Sequence, residues 1–143
     1  DFVYDTIWNG QMPSETIWNN GGTVSLGADP TQSLVSGRLG DSQAIQFSDN
    51  GGNAQNAEWQ TTLDFTNADT LVVYTQTNGD SLGDDRYFFI NVDGTEIAKI
   101  ESGSTNWTER TFDVSGYSGF LQLDLGAFVQ FDRVFRYASV ELV

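Results

Sequence analysis

An all-β fold, built as one sandwich of two antiparallel sheets, is predicted by three features of this sequence. Short apolar or alternating runs recur at close spacing, Gly, Asn, Asp and Ser stand between them, and helical periodicity is nearly absent. Ten short strands in a single domain imply two packed layers.

Taken in order, the first candidate strand is Phe2 to Ile7, within a stretch that repeats itself. Asp5-Thr6-Ile7-Trp8-Asn9-Gly10 recurs ten residues on as Glu15-Thr16-Ile17-Trp18-Asn19-Asn20. Two copies are too few for a solenoid. Residues 1–22 therefore read either as an N-terminal arm presenting Trp8 and Trp18 to a ligand or neighbouring subunit, or as two tryptophans covering one edge of the core. Thr23 to Leu26 is the next strand. The Gly/Ser/Thr-rich region from Gly27 to Gly40, with Pro30, reads as a loop, as does the polar Asp49 to Asn56. Between them lies a strand at Ala44 to Phe47.

Glu58 to Phe65 alternates, which assigns Trp59 to the core, and Thr70 to Thr75 follows. Tyr87 to Val92 and Thr95 to Ile100 flank Asp93-Gly94, the pair that supplies positive φ in a two-residue type I′ turn, so an antiparallel hairpin is predicted there. Glu109 to Val114 leads into the loop Ser115-Gly116-Tyr117-Ser118-Gly119. Phe120 to Leu125 places Leu121, Leu123 and Leu125 on one face and Gln122 and Asp124 on the other, so one side of that sheet should be wet. Arg136 to Leu142 closes the chain.

The 143 residues fit one domain, 1–143, able to bury a core without staples. The 10 Phe, 5 Tyr and 4 Trp make that core aromatic-rich. There is no histidine and no cysteine, which removes the usual general base, imidazole and thiolate metal ligands, the thiol nucleophile and the disulfide. Only carboxylate chemistry remains, and no motif singles out a catalytic pair. Acidic residues number 20 against 6 basic ones, a formal charge of −14. Such a surface repels phosphates, so nucleic acid and anionic membranes are not expected partners. No apolar run is long enough for a transmembrane helix. Asp1 at the start suggests a chain that has lost a leader or been cut from something longer, and an extracellular or secreted address is expected.

From Thr70 onward the order of features becomes recognisable. Leu71-Val72-Val73-Tyr74, then Phe88-Phe89-Ile90-Asn91-Val92-Asp93-Gly94, then Trp107 to Gly119, then the alternating strand and the closing Tyr137-Ala138-Ser139-Val140-Glu141-Leu142 together resemble the galactose-binding-like β-jelly roll. That fold is shared by carbohydrate-binding modules and by other extracellular or viral fibre domains. The resemblance implies a single β-sandwich of jelly-roll type and a non-catalytic extracellular module that binds a polysaccharide or glycan. It also implies a structural role for Trp107. A family-style calcium site on the closing strand would need an acidic pair, where this chain has only Glu141.

Sugar recognition needs flat aromatic faces for C–H surfaces and planar polar groups for hydroxyls. The candidate platforms are Trp8, Trp18, Tyr87 and Tyr117, with Asp84, Asp85 and Arg86 as hydroxyl partners beside Tyr87. The loop Asn78 to Asp85 gathers three carboxylates, Asp80, Asp84 and Asp85, beside an amide, the oxygen-rich chemistry that suits calcium. The alternative function is a structural subunit of an extracellular filament, virion or surface layer, self-associating as the N-terminal arm adds a strand to a neighbour.

Overall fold

The computed structural model describes residues 22–27, 30–38, 43–48, 55–79, 82–83, 86–129 and 133–143. Ten strands lie among them: β1 (Gly22–Leu26), β2 (Thr31–Ser36), β3 (Gln43–Ser48), β4 (Gln55–Asp64), β5 (Thr70–Thr77), β6 (Tyr87–Val92), β7 (Thr95–Ile100), β8 (Thr108–Asp113), β9 (Phe120–Val129) and β10 (Val134–Leu142). They form two antiparallel five-stranded sheets, ordered β1-β4-β9-β6-β7 (sheet A) and β2-β3-β10-β5-β8 (sheet B). Consecutive strands change sheet except at the β2–β3 and β6–β7 pairs, and the architecture is the jelly-roll sandwich that the resemblance implies. Among the described residues no helix is long and apolar enough to cross a membrane.

Period-two alternation builds the core. On β4, Ala57, Trp59, Thr61 and Leu63 are buried between the sheets while Glu58, Gln60 and Thr62 point away, and β5 does the same with Leu71, Val73, Thr75 and Thr77. Trp59, Phe47, Phe65, Phe88, Phe135 and Tyr137 are the largest fully buried side chains. Phe88 of sheet A meets Phe135 and Tyr137 of sheet B edge-on, at centroid distances of 4.9 and 5.1 Å. Such tilted pairs contribute about 1 kcal/mol each beyond the area they bury. Trp107 packs partly buried against this core, in the structural role implied for it.

The predicted hairpin forms. Asp93 and Gly94 have φ of 53° and 78°, and Val92 pairs with Thr95 across them.

Three expectations need correction. The region from Gly27 to Gly40 is not all loop, because Thr31–Ser36 is strand β2. Among the described residues it pairs with β3 alone, and Leu34 and Val35 are its only aliphatics, so that pairing, not its own pattern, holds it. The polar stretch Asp49 to Asn56 ends two residues early, since Gln55 and Asn56 pair with Val129 and Phe128. Asp124 faces outward but is only 5% exposed, so the far half of β9 is shielded on both faces. Most of the N-terminal arm, with the Phe2 to Ile7 strand, Trp8 and Trp18, lies outside the described residues; its last residue, Gly22, opens β1.

Candidate functional site

The outer face of sheet A carries rings at its ends and a polar ladder between them. Register fixes the rows: Asn56, Phe128 and Tyr87 lie side by side, then Glu58, Gly126, Phe89 and Lys99, then Gln60, Asp124 and Asn91, then Thr62 and Gln122, and finally Asp64 and Phe120. The Tyr87 and Phe128 rings sit 5.4 Å apart at 42°, with the Lys99 ammonium 4.5 Å from the Tyr87 centroid. A cation over the ring face helps fix the Tyr87 plane. Phe120, eight residues from Phe128 on β9, is 68% exposed. Eight residues of strand span about 26 Å. That length suits a chain of several sugar rings.

Glycine shapes the middle of this face. Any Cβ at Gly126 would collide with Cζ, Cε1 and Cε2 of Phe89, so the Phe89 ring lies flat over the strand only because Gly126 has no side chain. From beneath, the Tyr137 hydroxyl crosses the core and donates toward the carbonyls of Gly126 (2.6 Å) and Phe89 (3.0 Å), pinning this paired backbone position. Burial drives the Tyr137 phenol well above its ordinary pKa, so it stays a neutral donor.

The polar rungs hold one another in plane. Gln60 Nε2 donates to Glu58 Oε1 (3.0 Å), Gln122 Nε2 to Asp124 Oδ1 (2.8 Å) and Asn91 Nδ2 toward Asp124 Oδ2 (3.4 Å). Burial, and then repulsion from Asp124, raise the Glu58 pKa. Glu58, Gln60, Gln122 and Asn91 retain lone pairs or N–H groups for a ligand's hydroxyls, whereas the buried Asp124 serves to hold two of the amides. A shallow groove of about 410 Å³, lined by Ser25, Leu26, Gln55, Asn56, Glu58 and Phe128, extends the face toward the β1 edge.

The predicted site residues separate. Tyr87 stands in the aromatic row, and Arg86 precedes it in an isolated bridge with Gly83. Tyr117 is half-buried in the β8–β9 loop, packed on the core and 6.2 Å from Phe65, at the opposite end of the sandwich from Tyr87. Asp80, Asp84 and Asp85 lie outside the described residues. Asn78, the amide beside them, accepts a hydrogen bond from Val134 N (3.1 Å), which gives its carbonyl a backbone task. Among the described residues no group of three or more acidic side chains is placed to hold a metal ion.

Sequence reasoning passed over Phe128, Glu58, Gln60, Asn91 and Phe120 as site residues, although period-two alternation on β4, β6 and β9 places all five on the face of Gln122. A second depression, about 380 Å³ beside Asp69, Phe112 and Asp113, is less suited to a sugar. Its Asp113 carboxylate already accepts from Ser115 N and Oγ, which lowers its pKa.

No protein-family profile matches the sequence, and no curated protein matches it by sequence. Solved structures do match by shape. They include the module TmCBM61 in complex with β-1,4-galactotriose (TM-score 0.60, 11% identity, 96% of this chain and 92% of that one). The family 11 carbohydrate-binding module from Clostridium thermocellum, in complex with a β-1,3-1,4-mixed-linked tetrasaccharide, gives 0.59 at 11% identity over 87% and 89%. A family 29 carbohydrate-binding module gives 0.54 at 14% identity over 85% and 77%. These likenesses establish the fold, a β-sandwich of jelly-roll type. The residues on the face are this chain's own.

Proposed function

We propose that this domain is a non-catalytic extracellular module that binds a neutral polysaccharide along the outer face of sheet A. The observation that carries the reading is the Tyr87–Phe128 ring pair opening onto Glu58, Gln60, Gln122 and Asn91, with the buried Asp124 holding the last two amides in place. Aromatic faces take the C–H side of sugar rings, and planar amides and carboxylates pair with vicinal hydroxyls. Two carboxylates with the Glu58 charge already disfavoured would repel an acidic sugar at this face, so an uncharged glycan is the fitting class. Solved structures of the same fold hold a galactotriose and a mixed-linked tetrasaccharide, which supports a sugar ligand here.

Affinity electrophoresis on β-glucan, galactan, xylan and mannan tests it. Retardation by at least one of them, lost in Tyr87→Ala, is expected; equal mobility of both proteins in every gel removes the proposal.

The proposal also keeps calcium as a structural ion of the loop, through Asp80, Asp84 and Asp85, because hard oxygen donors suit it. A Tm raised by calcium and restored by chelator supports this, whereas an unchanged Tm removes it. Self-assembly by strand addition draws on one observation, that among the described residues β1 pairs with β4 alone and its Val24 and Leu26 are 39% and 42% exposed. Deleting residues 1–20 and following particle size by light scattering tests that reading; assembly unaffected by the deletion rejects it.

A further inference from the structure

The outer face of sheet B has a different chemistry. Arg136 on β10 lies between Gln46 on β3 and Gln76 on β5, its paired positions on either side. Its Nε donates to Gln46 Oε1 (2.7 Å) and its Nη1 to Gln76 Oε1 (2.8 Å). Two neutral amides therefore hold the guanidinium plane, and among the described residues no carboxylate pairs with it. Three of its five N–H groups have no protein acceptor there. Partial burial lowers its pKa, so the surroundings disfavour the charge they hold.

Two residues from Gln76 on β5, about 7 Å along the strand, Tyr74 carries a second guanidinium on its ring. Arg38 stacks 3.7 Å over the Tyr74 ring and donates from Nε to Ser139 Oγ (3.0 Å). Ser139 can reach it because β10 bulges between Ala138 and Glu141, with Ser139 at φ 53°. A left-handed serine costs on the order of 1 kcal/mol and re-aims its side chain. The acids on this face lie on the Tyr74 side: Glu109 accepts from the Tyr74 hydroxyl (2.9 Å), and Glu141 lies beyond it, paired with Val72.

In a chain of formal charge −14, cations are ordinarily neutralised by nearby carboxylates. A partly buried guanidinium held by two amides, with no carboxylate on it among the described residues, is instead an incomplete ion pair. We propose that the outer face of sheet B is a second glycan site, in which Arg136 forms a bidentate pair with the carboxylate of a uronic-acid residue and Arg38 supplies a second positive charge beside it. A planar carboxylate matches the guanidinium fork better than a hydroxyl does. Such a domain would bind neutral and acidic polysaccharide on opposite faces.

The test uses the full chain at about 0.15 M ionic strength, where the Debye length of about 8 Å screens the overall negative charge but not a contact pair. Polygalacturonate gels are expected to retard the protein, Arg136→Gln to weaken that binding about tenfold with Tm and galactan or glucan binding unchanged, and Arg136→Lys to weaken it at least threefold. Tyr87→Ala is expected to leave polygalacturonate binding intact, which separates this site from the face of sheet A. No retardation by polygalacturonate, full binding by a folded Arg136→Gln or Arg136→Lys, or retardation by dextran sulfate alone each overturns the proposal. Should Arg136→Gln not fold, the Arg136 Nε–Hε resonance of the natural protein is followed during titration with trigalacturonate: a saturable shift supports the site, and an unmoved resonance overturns it.

Discussion

The two outer faces of this sandwich use the same strand geometry and opposite economies of charge. On sheet A, rings sit at the ends, carboxylates and amides occupy the middle, and the central position is built from within by Gly126, Phe89 and the Tyr137 hydroxyl reaching through the core. On sheet B the prominent groups are two guanidiniums, held by part-buried surface amides, a tyrosine ring and a buried serine at the β10 bulge. A face built from the core should lose stability and binding together when altered. A face built on the surface should lose binding alone.

The sharpest way to break that contrast is Gly126→Val. Overpacking against Phe89 is expected to cost about 3 kcal/mol, read as a large fall in the urea midpoint, and to abolish neutral-glycan retardation. A normal midpoint would mean that Phe89 moves freely and that sheet A is not built as described. Tyr137→Phe removes the hydroxyl from the Gly126 and Phe89 carbonyls. It should destabilise by about 1–2 kcal/mol, the cost of leaving buried polar groups unmatched, with a smaller loss of affinity measured by calorimetry.

Tyr87→Ala probes the surface of the same face. Affinity for a bound neutral oligosaccharide should fall about tenfold, equivalent to ~1.4 kcal/mol, while thermal stability changes little. The smallest effect belongs to Glu58→Gln. Because the Glu58 pKa is raised in the folded state, the stability linked to it is fully present below the ordinary carboxylate value and is lost as pH rises through the folded value. The variant, which keeps an oxygen for Gln60 and lacks the charge facing Asp124, should match the natural protein near pH 4. By pH 7 it should exceed it by less than ~1 kcal/mol, as partial exposure limits the effect. Melting curves across that range would check it; an advantage for the variant at low pH would contradict the sign.

Much of the scaffold was legible because alternation is a local property. The strands Tyr87–Val92 and Thr95–Ile100 match the expected boundaries, since Asp93-Gly94 specifies its turn by backbone sterics that need no partner. Trp59 was legible as core for the same reason, being one inward step of an alternating run. β2 was not, because a strand rich in Thr, Gln and Ser owes its form to the neighbour that pairs with it. The burial of Asp124 was also hidden, since its shielding comes from Gln122 on its own strand and Asn91 on the adjacent one, and only the second is remote in sequence.

The site divides along the same line. Tyr87 could be named from residue type, whereas Phe128, some forty residues later, joins it only through the β6–β9 register. Tyr117 has an equally suitable ring, but the fold puts it at the other end of the sandwich. The sequence by itself determined the all-β class, the hairpin, the aromatic core and the absence of histidine and cysteine chemistry, because composition and period-two patterning act over a few residues. Tertiary structure decided which rings share a face, which carboxylates meet amides and which guanidinium two amides hold, because those are facts of strand order and register, set by contacts between segments far apart in the chain.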